Sequence, residues 1–240
     1  MPLTSSWLLV SCGYFVLVTQ RELALFPLAI VLFPQAPMPL HIFEPRYRRL
    51  VEDCLAGNQE FGVLPRLDDT PERDIAPGTV GCVAKIEQTQ ELPDGRSNVL
   101  LRGAERFSLV RFVTTGAPYF MGVVDDIPDD EVPAYATRDL ASRVRELFVR
   151  VASAARTIAD DRAPVPDLPN DDKALAFVVA QYLDLDLASK YRVLASRSPV
   201  DRLRQVDGVL SPIVETIEDR ATVHVRARTN GHGHGAGTST

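Results

Sequence analysis

At 240 residues, 45% of them hydrophobic and 24% charged, the chain is long enough for one large domain or two small ones, each with its own core. A formal charge of −6 and a pI near 5.3 argue against a nucleic-acid partner, because phosphate binding needs a surplus of Lys and Arg on one face. Cys12, Cys54 and Cys82 lie far apart with no CxxC pair. They support neither a zinc knuckle nor a redox dithiol nor a disulfide framework, which fits a reducing cytoplasm.

Residues 7–18, WLLVSCGYFVLV, form an apolar run that is shorter than the roughly 20 residues a membrane span needs. MPLTSS precedes it without a positive charge, so it is a poor secretory signal. The functional domain is expected to begin near Val18, with residues 1–20 an upstream extension. A signal-like anchor and an extra strand are the alternatives for that segment.

Residues 22–43, ELALFPLAIVLFPQAPMPLHIF, read as short β segments cut by Pro27, Pro34, Pro37 and Pro39, which forbid a helix and force edges or bends. Pro45 suits a first helical position. Tyr47, Leu50, Val51, Cys54 and Leu55 then mark one apolar helical face that Gly57 is placed to end. Glu44 and Arg48 stand at i, i+4 spacing and are expected to pair weakly. EFGVLP (60–65) reads as a strand and 66–78 as a polar loop. Residues 79–92 alternate, Pro93-Asp94-Gly95 signals a turn, and 97–103 return as the partner strand of a hairpin. Gly103 predicts a bulge or bend before AERFSLVRFV begins another strand, and YFMGVV (119–124) is the last. Six or seven short strands with one embedded helix favour a small closed or half-closed barrel.

From residue 125 the character changes. The acidic, proline-bearing segment 126–135 reads as a linker. Leu140, Val144, Leu147, Phe148, Val151, Ala155 and Ile158 mark a long helix. Leu175, Val178, Val179, Tyr182 and Leu183 mark a second, capped by Asn170 or Asp171. A short helix is expected over 187–196. Ser198-Pro199 opens the last, with Val200, Leu203, Val206 and Leu210 inward and Gly208 and Pro212 breaking it. The predicted layout is therefore an α+β chain: a β-rich domain over 21–125, a helical subdomain over 136–225 and a disordered tail over 226–240.

The stretches Leu25-Phe26-Pro27-Leu28, Val31-Leu32-Phe33-Pro34 and Pro39-Leu40-His41-Ile42-Phe43-Glu44-Pro45-Arg46-Tyr47 resemble the start of the Lon substrate-binding domain, in its bacterial stand-alone branch. Arg102 to Leu109, RGAERFSL, is similar to that family's Gly-x-x-Arg-Phe strand, and 175–210 to its helical part. The resemblance spans roughly 21–220. It implies a PUA-like pseudo-barrel with one embedded helix, followed by a helical bundle. In the full protease this region captures unfolded or tagged proteins for an ATP-driven motor and a Ser–Lys peptidase. This sequence contains no Gly-x4-Gly-Lys-[Ser/Thr] phosphate loop, so it is not expected to drive ATP-dependent unfolding alone.

The string His41 to Tyr47 has two readings. In one it is a peptide-contacting lip; in the other Glu44 and Pro45 start a helix while Ile42 and Phe43 fill the barrel. The candidate peptide-binding residues are Phe33, Pro34, Met38, His41, Phe43, Arg46, Tyr119 and Phe120; the proline-rich loops carrying Phe33, Met38, Tyr119 and Phe120 could leave an apolar patch of interaction-site size. Metal binding by His224, His232 and His234 is disfavoured because the last two sit in a glycine-rich tail without carboxylate or Cys neighbours, and Asp68-Asp69, Asp125-Asp126 and Asp129-Asp130-Glu131 lack calcium-loop spacing. No metal or cofactor is expected. No GxSxG elbow or HExxH helix is present, so no catalytic residue is assigned. The leading expectation is a non-enzymatic, cytoplasmic binding module. Its partners would be unfolded or tagged proteins and a separate protease, with no membrane. The alternative is an RNA-binding PUA-like protein, which rests on fold analogy.

Overall fold

The computed structural model describes residues 20–230. The expected N-terminal extension, except for Gln20, and the tail from 231 onward lie outside the described residues. The chain divides into two compact units, one β-rich and one helical, as the α+β reading anticipates.

The described part of the first unit comprises residues 20–128 and Leu185–Arg197. Its strands are β1 (Arg21–Leu28), β2 (Pro37–Ile42), β3 (Glu60–Pro65), β4 (Val80–Glu91), β5 (Ser97–Val113) and β6 (Phe120–Asp126), with helix α1 (Pro45–Leu55) between β2 and β3. They pair in the order β2-β5-β4-β3-β1-β6, and β6 also pairs with β5. The pairing of β5, β4, β3, β1 and β6 thus returns to its start, with β2 attached outside that ring. The β1–β3 pair is parallel and the rest antiparallel. A parallel pair needs a crossover, and β2 with α1 supplies it.

Prolines fall where the ladder is open. Pro37 and Pro39 lie in β2, which among the described residues pairs with β5 alone. Pro27 lies beyond Leu25, where the β1–β6 pairing ends. A residue without an N–H costs no ladder bond at such positions.

Gly103 was expected to mark a bulge or bend before another strand. A register shift does fall there, between Cys82 and Ala84 on the partner strand, but β5 runs on unbroken for 17 residues rather than ending. Gly103 exchanges backbone hydrogen bonds with the loop before β2, accepting from Gln35 N–H at 2.8 Å and donating to Ala36 O at 3.0 Å. A side chain there would collide with the Phe33 carbonyl. Inside the ring, Leu23, Leu25, Leu64, Ile75, Val83, Phe107, Leu109 and Val124 form the core. The Phe107 ring lies across Gly62 and Gly81, a fit that any added methyl would break.

Helix α4 (Leu187–Ala195), expected with the helical half, belongs to the β-rich unit. Arg106, only 4% exposed, donates to the carbonyls of Leu194 (2.7 Å) and Ser196 (2.6 Å) at the end of that helix. The Val80 N–H donates to Tyr191 Oη at 3.1 Å. A buried guanidinium must be hydrogen-bonded to be tolerated, and α4 supplies the acceptors.

The described part of the second unit holds α2 (Tyr135–Ile158), α3 (Asp172–Tyr182), α5 (Pro199–Leu210) and α6 (Val214–Asn230). Ala141, Val144, Leu147, Phe148, Val151 and Ala154 form the buried stripe of α2. Asp171 caps α3 by accepting from Lys173 N–H, and Ser198 caps α5 by accepting from Asp201 N–H. Gly208 stays within α5; the break comes at 211–213. Residues 226–230, expected in the tail, extend α6. Arg202 is fully buried. Both its terminal nitrogens donate to Asp129 at 2.6 Å, and Nη2 also donates to the Lys173 carbonyl at 2.8 Å. Its guanidinium lies 4.3 Å from the Phe177 ring centre. No helix among the described residues is long and apolar enough to cross a membrane.

Candidate functional site

The distinctive string His41–Tyr47 occupies the end of β2 and the start of α1, and the fold splits it between core and surface. Strand alternation turns Ile42 inward, 1% exposed, and the helical period turns Tyr47 inward, 2% exposed. Tyr47 stacks on Phe26 with ring centres 3.7 Å apart, and burial pushes its phenol well above the ordinary range. Phe43 is 59% exposed, so the expectation that it fills the barrel fails. Its place one residue past the strand, on the face opposite Ile42, points it to solvent. His41 is exposed too. The two rings lie 6.3 Å apart and are inclined by 23°.

His41 shares a 2.8 Å hydrogen bond between Nδ1 and Asn98 Oδ1, and Asn98 Nδ2 donates to Gln90 Oε1 at 3.4 Å. The register His41↔Asn98↔Gln90 places these side chains in one rung across β2, β5 and β4. Sequence reading missed Asn98 and Gln90, because only the pairing brings them to His41.

Arg46 faces the other way. Its Nη1 and Nη2 donate to Glu72 at 2.6 and 3.0 Å, and Nε donates to Glu44 at 2.9 Å. The guanidinium lies 4.4 Å from the Tyr47 ring centre and 5.8 Å from that of Phe120. The Glu72 bonds hold its proton more firmly than usual. Arg46 is therefore committed to tying α1 to the 66–78 loop. Glu44, expected to pair with Arg48, is taken by Arg46 because the N-cap position aims it across the first turn rather than along the helix.

The remaining candidates separate. Phe33 is fully buried and Met38 is 8% exposed; both are core side chains and offer no surface, because the loop carrying Phe33 is fastened to Gly103 and Met38 is an inward residue of β2. Pro34 is half-buried. Tyr119 donates to Asp53 at 2.9 Å, and burial together with that bond pushes its phenol up to about 12. Phe120 packs on Phe112, ring centres 5.5 Å apart, against the core cluster. The fold thus brings together His41 and Phe43 as an exposed pair, and Arg46 with Phe120 as a separate, structural group. Among the described residues no cluster of His, Cys, Asp or Glu has the form of a metal site. His224, raised above as a metal candidate, contacts Asp160 at 3.2 Å, while His232 and His234 lie outside the described residues.

Comparison with known proteins agrees with this architecture. The profile of the ATP-dependent protease La (Lon) substrate-binding domain matches residues 22–211. The chain is 29% identical over 203 residues to Lon protease 2 of Herpetosiphon aurantiacus, covering 83% of this chain and 25% of that one. It is 28% identical over 206 residues to Lon protease 1 of Thermus thermophilus, covering 82% and 25%. The chain thus spans about a quarter of the length of the curated relatives it matches. Among solved structures, a Lon N-terminal domain protein from Xanthomonas campestris is similar, with TM-score 0.54, 27% identity and coverage of 78% and 96%. The N-terminal domain of Mycobacterium avium complex Lon protease shares the fold, with TM-score 0.62, 19% identity and coverage of 80% and 98%.

Proposed function

The chain belongs to the Lon substrate-binding domain family, and from that premise we propose that it is a non-enzymatic module that captures exposed apolar segments of unfolded or tagged proteins. Its role in this reading is cytoplasmic protein quality control, handing its catch to a separate protease. The observation that carries the reading is the extent of the family match, which covers both units and stays within the substrate-binding region. Similarity to the relatives is confined to a share of their length near one quarter.

The mode of capture follows from β2. Its free edge carries Pro37 and Pro39, which lack N–H donors, so this edge is a poor template for an added strand. Recognition here falls to side chains. The alternative of RNA binding is less well supported, because many guanidiniums are already spent on carboxylates. Arg46, Arg49, Arg96, Arg102, Arg143, Arg145 and Arg150 all pair with Asp or Glu, which leaves little charge for a phosphate track.

Pull-down of the purified full chain against destabilised variants of a folded protein tests the function. Enrichment of the destabilised forms over the folded parent is expected. Equal recovery of both would overturn the reading.

A further inference from the structure

One corner of the β-rich unit combines an uncovered aromatic shelf with an unspent cation. Phe43 is 59% exposed and the next most exposed large apolar side chain of this unit, among the described residues, is Leu55 at 37%. Phe43 does not hang on a loop free to collapse. It stands between Ile42, buried and paired with Ser97, and the start of α1. The neighbouring His41 ring is held by Asn98, and Asn98 by Gln90. A large apolar group fixed in water in this way is preorganised to bury against a partner.

The cations around it are mostly cancelled. Arg96 pairs with Asp94, and Arg46 with Glu44 and Glu72. Among the described residues Arg48 is the nearby cation without an ion pair. Its expected partner Glu44 is committed to Arg46, and its guanidinium instead rests against the turn at Gly95. The β2–β5 register runs Ile42↔Ser97. One further step brings Phe43 toward Arg96 and the Gly95 turn, the side on which Arg48 lies.

We propose that His41, Phe43, Arg48 and Asn98 form a binding site for an extended polypeptide segment in which a large apolar side chain stands next to a carboxylate. The apolar side chain covers the Phe43 ring and the edge of His41. The carboxylate meets Arg48. The Asn98–Gln90 amides, which retain unused donor and acceptor capacity, face the main chain of the segment. This inference rests on the polypeptide-capture reading above and assigns it a place and a ligand chemistry.

The test uses the full chain and fluorescein-labelled nonapeptides of glycine and serine with a central phenylalanine followed by aspartate. The companions carry asparagine for aspartate, or serine for phenylalanine. Fluorescence anisotropy should show the phenylalanine–aspartate peptide binding best. Phe43→Ser should weaken it about tenfold, the scale of losing one apolar anchor. Arg48→Gln should abolish an aspartate-over-asparagine preference of about threefold while leaving the asparagine peptide unaffected, the size expected of one exposed ion pair. Phe43 is exposed and Arg48 half-buried, and thermal melts of the two variants matching wild type verify that they fold. The site is overturned if folded Phe43→Ser binds as wild type does, or if aspartate and asparagine peptides bind alike. A parallel titration with reduced, carboxymethylated α-lactalbumin separates the two ideas. Binding of that unfolded protein undiminished by Phe43→Ser sinks the corner alone, whereas no binding by wild type sinks the capture reading.

Discussion

Arg46 and Glu72 meet fork to fork, Nη1 to Oε2 at 2.6 Å and Nη2 to Oε1 at 3.0 Å, and so pin helix α1 to the loop that leads into β4. Tyr47 Oη adds a longer contact to the same carboxylate at 3.4 Å. The pair is partly solvated, with side chains 31% and 22% exposed, so its worth is that of a well-formed surface bridge. Glu72→Ala is expected to cost about 1 kcal/mol by urea unfolding. It should also raise the rate of proteolytic cleavage within 66–78, because Ile75 in the same loop is a core residue that the bridge helps to seat.

Arg202 and Asp129 are a different case. The guanidinium is fully buried, so removing its side chain leaves a cavity and takes two hydrogen bonds from the Asp129 carboxylate and one from the Lys173 carbonyl. Arg202→Ala is expected to destabilise the protein by about 3–5 kcal/mol, read as a lowered unfolding midpoint. The double variant with Asp129→Ala should lose less than the two single losses combined.

Gly103→Ala tests the fastening of the loop before β2. The added methyl meets a backbone carbonyl, that of Phe33, rather than a yielding side chain. Relief requires moving the loop whose Gln35 and Ala36 bond to Gly103. A loss of about 2 kcal/mol or more is expected by chemical denaturation.

Two thiols titrate late. Burial pushes Cys54 up to about 11 and Cys82 up to about 12. Both should resist alkylation at mildly alkaline pH in the native state and react readily in concentrated guanidinium chloride, as mapped by mass spectrometry of labelled peptides. A thiol whose folded value lies above its unfolded one contributes stability at neutral pH that is lost as pH climbs past the ordinary thiol range near 8.5.

Asp186 illustrates the opposite sign. Its carboxylate accepts from the Ser189 N–H at 2.7 Å, capping α4, and that bond holds it below the ordinary carboxylate range. Its stabilisation is present above that range and is lost as pH falls through the depressed value. The melting-temperature gap between wild type and Asp186→Asn should therefore narrow as pH falls from about 5 toward 2.

These contacts mark the limit of what was legible in the chain. Helix α1 could be read almost residue by residue: Tyr47, Leu50, Val51 and Cys54 repeat with the helical period and are buried, while Leu55, expected on the same face, lies exposed at the last helical position. The hairpin of β4 and β5 announced itself through alternation and the Gly95 turn. Phe33 and Met38 misled, since prolines around them suggested a surface loop. Their burial depends on β5, through Gly103 for the Phe33 loop and Leu101 opposite Met38, distant in sequence, and no local pattern carries that information. The short helix α4 was legible at its place in the chain, but its docking on Arg106 was not, since a charged residue in a strand gives no sign that it will be buried under a helix about 90 residues later. At the candidate site, the string 41–47 stood out as a string, but only the fold divides it into exposed His41 and Phe43 and structural Arg46 and Tyr47.

The central claim is that this polypeptide holds unfolded chains by itself and does not cut them. The direct measurement is anisotropy of labelled α-lactalbumin, native or reduced and carboxymethylated, titrated with the purified chain without nucleotide, followed by mass spectrometry of the mixture. Saturable binding of the unfolded form, little binding of the native form and an intact probe are expected. Equal binding of both forms, or fragments of the probe, would contradict it.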